Sequence, residues 1–445
     1  MYTQEEVTQI LRKNKMVFDP KMRASQFAGS APFLSFLQKA KLRKRLEEEF
    51  GFFRARSMMQ ILIGIILGAK NMNDIGKAAK DDLLADFLKN PIEEAQLGRD
   101  VRNWTASEIQ KLHDFNNALV IYDLAQKIKH DEVLIFDIDA TSVEKYGNQE
   151  GVEHGYVGQD DPEKCYQYLF LRLQNLNTFF YGTIRAGSTH SQNDFCGYLE
   201  RFFSHFKSKW RTALRADSGY YNEEAFEIMS ECDTSFYIKA PMNSARNSLA
   251  QTSSDLNWSA FDENGESFAS RRTNTKNGTQ FLEVFKRRKN ETEQLDLFTQ
   301  VSYRYDCIAT NDFVKSEKDI FLFYNGRANI ENNIKELKYD YSLGKIITDS
   351  FEANDVITQI TMMAYILMTH FKNECLPEKY KKCFLSTIRN QVFNMIGKLF
   401  TDSNQVYSRI KNVFCDASVY AYIFDQVRKL KSWVVDPPTL EIAAA

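Results

Sequence analysis

Apolar positions along this chain follow a helical period first and a strand period afterwards. Up to about residue 130 they recur every three or four positions in four segments, which are 5–12, 33–50, 54–69 and 107–128. Thr105 and Glu108 form a capping-box pattern at the start of the last segment. Basic residues between Lys39 and Arg45 are either a solvated helix face or a phosphate-contacting patch. We predict a helical N-terminal region over residues 1–130.

From Glu132 onward, short β-rich runs replace the helical period. They predict strands at 133–143, 166–174 and 178–187, then a helix at 193–209, a strand at 212–220, a helix at 222–231 and a strand at 234–241. Three strands followed by helix, strand, helix and strand is the order of a ribonuclease-H-like α/β domain. We therefore expect the first part of such a core over residues 131–241.

Residues 242–312 are richer in polar residues. They predict short strands at 257–270, 280–288 and 303–310 and a loop over 245–257. Between residues 271 and 290 there are seven Lys or Arg residues and one acid, Glu283. Five of these cations are candidate DNA contacts: Arg271, Arg272, Lys286, Arg287 and Arg288. A DNA-binding surface and an ordinary basic hairpin are both consistent with this pattern.

Helical spacing returns after residue 312. Residues 313–375 contain a helix around Glu331 and an apolar helix at 352–371, whose methionines we expect in the core. The tail, residues 376–445, alternates basic and apolar residues at helical spacing as far as residue 434. We expect 313–375 to complete the core and the tail to form a helical C-terminal region.

The helix around Glu331 carries an acid, two cations and a phenol at regular spacing. Tyr324, Arg327, Glu331 and Lys338 are separated by two, three and six residues. At 3.6 residues per turn, their side chains fall in one narrow stripe of a continuous helix. A carboxylate in this company can hold a divalent metal while the cations and the phenol hold phosphate oxygens. The pattern suggests phosphoryl transfer on a nucleic acid.

Two of the predicted strands carry further carboxylates. VLIFDIDAT supplies Asp137 and Asp139, which share a face because side chains alternate along a strand, and LRADSGY supplies Asp217. Two-metal phosphoryl transfer needs about three converging carboxylates, and oxygen ligands suit Mg²⁺ or Mn²⁺. On this reasoning Asp137 is a ligand, a partner of a ligand, or a structural acid.

Composition narrows the class of protein. A net charge of −2 over 445 residues excludes a bulk polycation, so any nucleic-acid surface is local. The seven cysteines include no C-x-x-C pair, which argues against a zinc site or a disulfide framework and favours a reducing cytosol. The chain has no G-x-x-x-x-G-K-[ST] motif, so we expect no nucleotide cofactor. The longest apolar run, 58–69, has twelve residues, whereas a membrane span needs about twenty. We expect a soluble cytoplasmic protein without a signal peptide.

Three motifs, taken in order, resemble the DDE transposases of bacterial insertion sequences. They are D-A-T after the first apolar strand, R-A-D-S-G-Y, and Y-x2-R-x3-E-x6-K. The last is similar to the Y-R-E-K signature of the large "IS-four" superfamily, and the chain resembles its "thirteen-eighty" branch in particular. The resemblance spans about residues 130–375. It implies that Asp139, Asp217 and Glu331 are catalytic and hold two Mg²⁺ or Mn²⁺ ions, and that 242–312 is a β-rich insertion into the core.

The same resemblance implies cut-and-paste DNA transposition. Such an enzyme acts as an endonuclease at the ends of its insertion sequence, commonly through a hairpin intermediate, and then transfers the strand to target DNA. Its partners would be the terminal inverted repeats and the target DNA, bound by a homodimer at the bacterial nucleoid. The helical terminal regions would supply end binding and assembly. Arg327, Lys338 and Tyr324 would contact the cut strand, and Trp258, Tyr303 or Tyr305 would hold a flipped base.

Two other functions stay open at this point. LIFDIDATS also fits the first motif of haloacid-dehalogenase-type phosphatases, in which Asp137 would be the nucleophile and Asp139 the acid and base. That interpretation leaves the Y-R-E-K pattern unexplained. The chain could also be a transposase-derived DNA-binding protein that no longer cuts.

Overall fold

The fold is that of a computed structural model of the chain. The structure describes residues 21–155, 162–190, 192–206, 209–289, 302–402, 405–410 and 415–430. These residues form two compact units. One unit contains the chain up to Asp100 together with His370–Val435, and the other is built on Val101–Thr369.

Between residues 21 and 102 the chain is mainly helical, as predicted. Its elements are β1 (Ala24–Ser25), α1 (Ala31–Lys39), α2 (Leu42–Phe50), α3 (Phe52–Leu67), α4 (Met72–Ala78), α5 (Asp82–Leu88) and α6 (Glu94–Arg102). The helix predicted at 5–12 lies outside the described residues. Arg43, from the basic cluster of the sequence, donates hydrogen bonds to the carbonyls of Phe87 and Leu88 at the end of α5. This guanidinium therefore has a structural partner.

α3 contains the longest apolar run of the chain. Its residues from Met58 to Leu67 are all buried, which confirms the prediction of a core helix. Within the described ranges, no single helix is long and apolar enough to cross a membrane. α3 and α4 reach the necessary length and apolar composition only as a pair, and the pair is bent by 93°.

The unit from Val101 to Thr369 is an α/β unit around a mixed sheet. Its strands are β2 (Val133–Glu144), β3 (Glu153–Gly155), β4 (Glu163–Leu173), β5 (Thr178–Ala186), β6 (Arg211–Ala216), β7 (Thr234–Ala240), β8 (Glu266–Asn274), β9 (Gln280–Lys289) and β10 (Tyr303–Thr310). Its helices are α7 (Ala106–Lys127), α8 (Phe195–Phe206), α9 (Glu223–Glu231), α10 (Ser244–Thr252), α11 (Glu317–Asn325), α12 (Asn329–Tyr339) and α13 (Phe351–Cys375, the last residues of which lie past the boundary of the unit). The predicted succession of three strands, helix, strand, helix and strand is present.

α7 belongs to this unit, although the sequence pattern groups it with the N-terminal helices. The capping box of Thr105 and Glu108 opens the helix, as predicted. Its Asn116 donates a hydrogen bond of 2.9 Å to the carbonyl of Gln359 in α13. The compact unit that contains the sheet begins at Val101.

The sheet places the ends of β6 and β7 level with the middle of β2. Its order is β3, β4, β2, β6, β7, β10, β9, β8, and β5 also pairs with β4. β2, β6 and β7 run parallel, and the pairs on either side of them are antiparallel. Because β2 pairs with β6 only from Val133 to Asp137, its residues from Ile138 onward lie at the edge where β6 and β7 end.

The predicted β-rich insertion continues this sheet and is not a separate layer. β10 pairs with β7 from Cys307 opposite Ala240 to Thr310 opposite Tyr237, and β9 and β8 follow in order. The pairing satisfies the backbone groups along the outer edge of β7, which would otherwise be unpaired.

Two local predictions in this segment are wrong. The stretch predicted as a loop, 245–257, contains most of α10, because the Asn243 side chain accepts a hydrogen bond from the Arg246 amide and caps the helix. The strand predicted at 257–270 begins only at Glu266, after a turn in which Gly265 has a φ of 68°.

The sequence predicts one continuous helix through the Y-R-E-K pattern, but the structure shows two helices separated by a turn. α11 ends at Asn325, a 3₁₀ turn spans Gly326–Ala328, and α12 begins at Asn329. A Cβ atom at Gly326 would collide with the guanidinium of Arg215, so the glycine leaves room for that side chain. Tyr324 and Arg327 thus precede the helix that carries Glu331 and Lys338.

The tail after α13 is only partly helical. Its elements are α14 (Glu378–Lys381), α15 (Leu385–Ile388), a π-helical turn (Arg389–Phe393), β11 (Gly397–Asp402), β12 (Gln405–Ile410) and α16 (Ala417–Lys429). β11 pairs with β12 and β1, so the helical prediction is wrong for these strands. Lys398 and Phe400 are exposed while Leu399 is buried, an alternation typical of a strand. The methionines of α13 are buried, as predicted.

Candidate active site

A buried ion pair aligns β2 with β6. Asp137 and Arg215 lie opposite each other in the parallel register, and Asp137 is 0% exposed. Arg215 donates to the two carboxylate oxygens at 2.7 and 3.0 Å, and Arg172 of β4 donates to one of them at 2.8 Å. Burial raises the pKa of Asp137, and both guanidinium groups oppose that rise. Of the three roles open for Asp137, these contacts favour the structural acid.

Two residues further along each strand lie two of the predicted catalytic acids. Asp139 follows Asp137 on β2, and Asp217 follows Arg215 at the end of β6. Asp217 accepts a hydrogen bond of 2.9 Å from the amide of Gly219, which turns the chain away from the sheet. The register of the ion pair therefore sets these two carboxylates side by side.

The carboxyl of Asp139 is strongly perturbed. Burial and the nearby charges of Asp217 and Glu331 raise the pKa of Asp139, Arg327 opposes this rise, and the resulting pKa is about 7. Carboxylates influence each other in this way only over short distances. The three acids named by the sequence motifs are therefore neighbours in space.

Arg327 connects two of these acids. Its Nη2 donates a hydrogen bond of 2.9 Å to Glu331 Oε1, and its Nη1 lies 3.6 Å from Asp139 Oδ2. The Arg327 side chain is 16% exposed, whereas that of Glu331 is 49% exposed. A guanidinium thus occupies the space between the carboxylates.

Tyr324 and Lys338 complete the Y-R-E-K pattern. Tyr324 is partly buried against the core cluster of Ala213 and Tyr237, and burial raises its pKa to about 12. Lys338 Nζ donates a hydrogen bond of 2.8 Å to the carbonyl of Ser142 in β2. Burial lowers the pKa of Lys338, and the charge of Asp139 opposes the decrease.

The acids suit a divalent cation in their chemistry. Asp139, Asp217 and Glu331 offer only carboxylate oxygens, the donors that Mg²⁺ and Mn²⁺ prefer. In the part of the chain that the structure describes, no three His, Cys, Asp or Glu side chains are close enough to hold a metal between them. Arg327 lies between two of the acids, with contacts to Glu331 and Asp139. The donor chemistry of the three acids fits a divalent cation, which they would hold in place of the guanidinium.

The five basic candidates of the β8–β9 hairpin do not form one patch. Arg271 donates to Glu283, a 2% exposed acid that also binds Arg246. Arg272 lies over the ring of Phe313, with 5.3 Å between the guanidinium carbon and the ring centroid. These two cations therefore have structural partners away from the three acids.

The other three basic candidates lie at the end of β9. Lys286 and Arg288 both bind Glu266 of β8, at 3.2 and 2.5 Å. Arg287 points to the other face, where its guanidinium carbon lies 4.3 Å from the ring centroid of Trp258 and 5.1 Å from that of Tyr303.

The candidates for holding a flipped base are thus grouped around a cation. Trp258 and Tyr305 lie with ring centroids 6.0 Å apart, and Tyr303 and Tyr305 with centroids 6.3 Å apart. Arg287 fills the space beside them. The structure brings the three rings together and leaves their role a prediction.

Two further residues near the acids were missed at the level of sequence. Arg215 lies inside the R-A-D-S-G-Y motif, which could have drawn attention to it. Lys239 lies at the end of β7, next to β6 in the sheet, and pairs with Asp306 at 3.0 Å. Only the strand order and register reveal that Lys239 lies near Asp217.

The sequence of the chain matches a family model over most of its length. The family is described as transposase DDE domain, group 1, and the match spans residues 30–432. No curated protein sequence matches. Among solved structures, the chain is similar to a piggyBac transposase in a cryo-EM structure of its synaptic complex with hairpin DNA. The identity is 11% and the TM-score 0.38, over 81% of this chain and 80% of that one, so this likeness supports no assignment of individual residues.

Proposed function

Because the chain belongs to the transposase family whose DDE domains form group 1, we propose that Asp139, Asp217 and Glu331 are the acids with which it cuts and joins DNA. The observation that carries the proposal is their convergence. They come from β2, the end of β6 and α12, yet the register of β2 and β6 sets Asp139 beside Asp217, and Arg327 lies 3.6 Å from Asp139 and 2.9 Å from Glu331.

The acids and Arg327 have different roles at the reacting phosphate: the acids would bind cations, and Arg327 would bind phosphate oxygens. Two Mg²⁺ or Mn²⁺ ions held by Asp139, Asp217 and Glu331 would activate the attacking oxygen and stabilise the leaving oxygen. Arg327 neutralises Asp139 and Glu331 in this structure. With those acids bound to cations, its planar guanidinium can turn to a phosphate and hold two of its oxygens.

Tyr324 and Lys338 act as donors to the DNA backbone. A phenol with a pKa of about 12 stays protonated at neutral pH, so Tyr324 gives a hydrogen bond and does not take a proton. Lys338 places an ammonium group on the carbonyl of Ser142, in the strand that carries Asp139. It supplies a positive charge beside the phosphate that is cut.

The finer proposal is cut-and-paste transposition on a ribonuclease-H-like core. The parallel strands β2, β6 and β7, with β4 and β5 antiparallel beside β2, support this core. Nicking, hairpin formation and strand transfer are all in-line displacements at phosphorus, so one carboxylate triad can serve each step. The Y-R-E-K spacing supports membership of the "IS-four" superfamily and its "thirteen-eighty" branch. A homodimer would bind the two terminal repeats and the target.

The phosphatase function has no support in the geometry. It needs Asp137 as a nucleophile that reaches a phosphate ester. The carboxylate of Asp137 is fully buried and bonded to Arg215 and Arg172, so it has no access to a substrate.

Purified protein and Mn²⁺ test the proposal on two substrates. One is DNA that carries the terminal repeats flanking the reading frame, and the other is a small phosphate ester. We expect cutting at the repeat ends and no hydrolysis of the ester. Binding of the DNA without any cutting would overturn the proposal in favour of an inactive DNA-binding protein, and hydrolysis of the ester would favour a phosphatase.

A further inference from the structure

We infer that Lys239 is a phosphate-binding residue of the cleavage site, and that Arg304, Lys286 and Arg288 continue from it as a track for the DNA strand. The inference rests on the proposed function and extends it to a surface. These four residues are called the basic track below. None of them belongs to the Y-R-E-K pattern.

Lys239 lies in the same row of side chains as two of the acids. Asp137 is opposite Arg215, and Arg215 is opposite Tyr237 in the parallel strands β2, β6 and β7. Asp139, Asp217 and Lys239 each come two residues after a member of that row. Because side chains alternate along a strand, all three lie on the same face of the sheet as the row, nearer the edge where β6 and β7 end. Neighbouring strands lie about 4.8 Å apart, which makes Lys239 the next residue across from Asp217.

The ammonium group of Lys239 is held near the reacting end and stays open to solvent. It pairs with Asp306 of β10 at 3.0 Å, and 40% of its side chain is exposed. The charges of both Asp217 and Asp306 act on the phenol of Tyr324. Tyr324 packs against the cluster that contains Tyr237, two residues before Lys239, and Ile308, which is opposite Lys239 in β10. One DNA strand can therefore contact both Tyr324 and Lys239.

The remaining cations follow from the antiparallel register. Asp306 is opposite Lys286 of β9, and Arg304 is opposite Arg288. Because β10 starts and β9 ends at the edge where β7 ends, these residues lie on the catalytic edge and on the face of Lys239. The acids among them are Asp306 and Glu266, fewer than the four cations.

Arg304 is the cation best placed to take a new partner. It is exposed, and it forms no ion pair with any other residue that the structure describes. Lys286 and Arg288 share the single carboxylate of Glu266, so together they keep an excess positive charge. A DNA strand that leaves the acids past Tyr324 would meet Lys239 first and the β9–β10 cations next.

The opposite face of the hairpin provides a matched control. Lys289 lies at the same end of β9 on the other face, and Lys276 is exposed between β8 and β9. The double variant K276Q/K289Q removes as much charge as K239Q/R304Q does. A difference between the two variants therefore reports position and not net charge.

The test measures binding of a fluorescein-labelled DNA duplex of mixed sequence to the full chain by anisotropy, over a series of salt concentrations. K239Q/R304Q should bind more weakly, with a log–log salt slope smaller by about 1.8, since each lost phosphate contact removes about 0.9. K276Q/K289Q should keep the wild-type slope. K239R/R304K keeps both positive charges and should restore binding. It also keeps a cation for Asp306, which has none in K239Q/R304Q.

Three results would separate the inference from the proposed function. Equal slopes for the two glutamine variants would overturn the basic track. Failure of K239R/R304K to restore binding, with unchanged thermal unfolding, would overturn it as well, because a charge-based contact tolerates this exchange. If the wild-type protein neither binds the duplex nor cuts DNA bearing its terminal repeats, the proposed function itself fails.

Discussion

Arg215 donates two hydrogen bonds to Asp137 across the adjacent strands β6 and β2, at 2.7 and 3.0 Å. It also donates one of 2.8 Å to the carbonyl of Phe323 near the end of α11. One guanidinium therefore touches both acid-bearing strands and the segment that leads to Arg327. Its contacts fix the relative positions of elements that are distant in sequence.

Arg215→Lys should disrupt this arrangement although it keeps the charge. A lysine cannot donate to both oxygens of Asp137 and to Phe323 together. We expect the free energy of unfolding to fall by about 3 kcal/mol, the lower end of the cost of breaking a buried ion pair. Urea unfolding measures this change.

Arg172→Lys is the control for that variant, because Arg172 gives Asp137 a single bond of 2.8 Å and does not bond to Phe323. It should cost less stability than Arg215→Lys. Equal losses in the two variants would show that Arg215 has no special position.

The pKa of Asp139 predicts a pH dependence of stability without metal. The pKa of this carboxyl rises from 3.8 to about 7 on folding, so the folded state favours its protonated form. A raised carboxyl pKa contributes stability that is full below pH 3.8 and is lost as the pH rises through about 7. Asp139→Asn removes this titration. The stability of the wild type relative to Asp139→Asn should therefore fall between these two pH values.

Urea unfolding of both proteins in chelator, at several pH values, measures the difference. Because the other titrating groups are the same in both proteins, the comparison with Asp139→Asn isolates the contribution of Asp139. A difference that does not change with pH, or one that rises, would contradict the burial of Asp139 among charged acids.

Arg271 should matter for stability more than for DNA binding. The sequence offers it as a DNA contact, yet it donates to the buried Glu283 at 2.8 Å. Arg271→Gln should lower the free energy of unfolding by on the order of 1–3 kcal/mol, because it leaves a charged acceptor with one partner fewer. The salt slope of DNA binding should stay at the wild-type value. A smaller salt slope of DNA binding, with an unchanged free energy of unfolding, would show that Arg271 contacts DNA.

Local patterns predicted the parts of the site that depend on local sequence. Strand alternation placed Asp137 and Asp139 on one face, and the order of elements placed Asp217 at a strand end. Helical spacing brought Arg327 beside Glu331, and the 2.9 Å bond between them survives the 3₁₀ turn. These relationships span a few residues each, so periodicity is enough to find them.

Relationships between distant segments were not predictable in the same way. The structural role of Asp137 depends on Arg172 and Arg215, which are 35 and 78 residues away in sequence. The position of Lys239 depends on the order and register of β6 and β7. In the 3₁₀ turn, Gly326 leaves room for the Arg215 side chain. Local sequence propensities cannot predict this contact, because Arg215 is distant in sequence. The hairpin β11–β12 was missed because its alternation is short.

The most direct test of the central claim compares single amide variants of the three acids. Asp139→Asn, Asp217→Asn and Glu331→Gln are assayed with Mn²⁺ on DNA carrying the terminal repeats, beside Glu263→Gln, which changes an exposed acid in the turn before β8. Each of the three should cut at least about 100-fold more slowly, a loss that outer partners of metal ligands already reach, and should still bind the DNA. Glu263→Gln should cut like the wild type. Cutting at the wild-type rate by any of the three variants would contradict a site built on Asp139, Asp217 and Glu331.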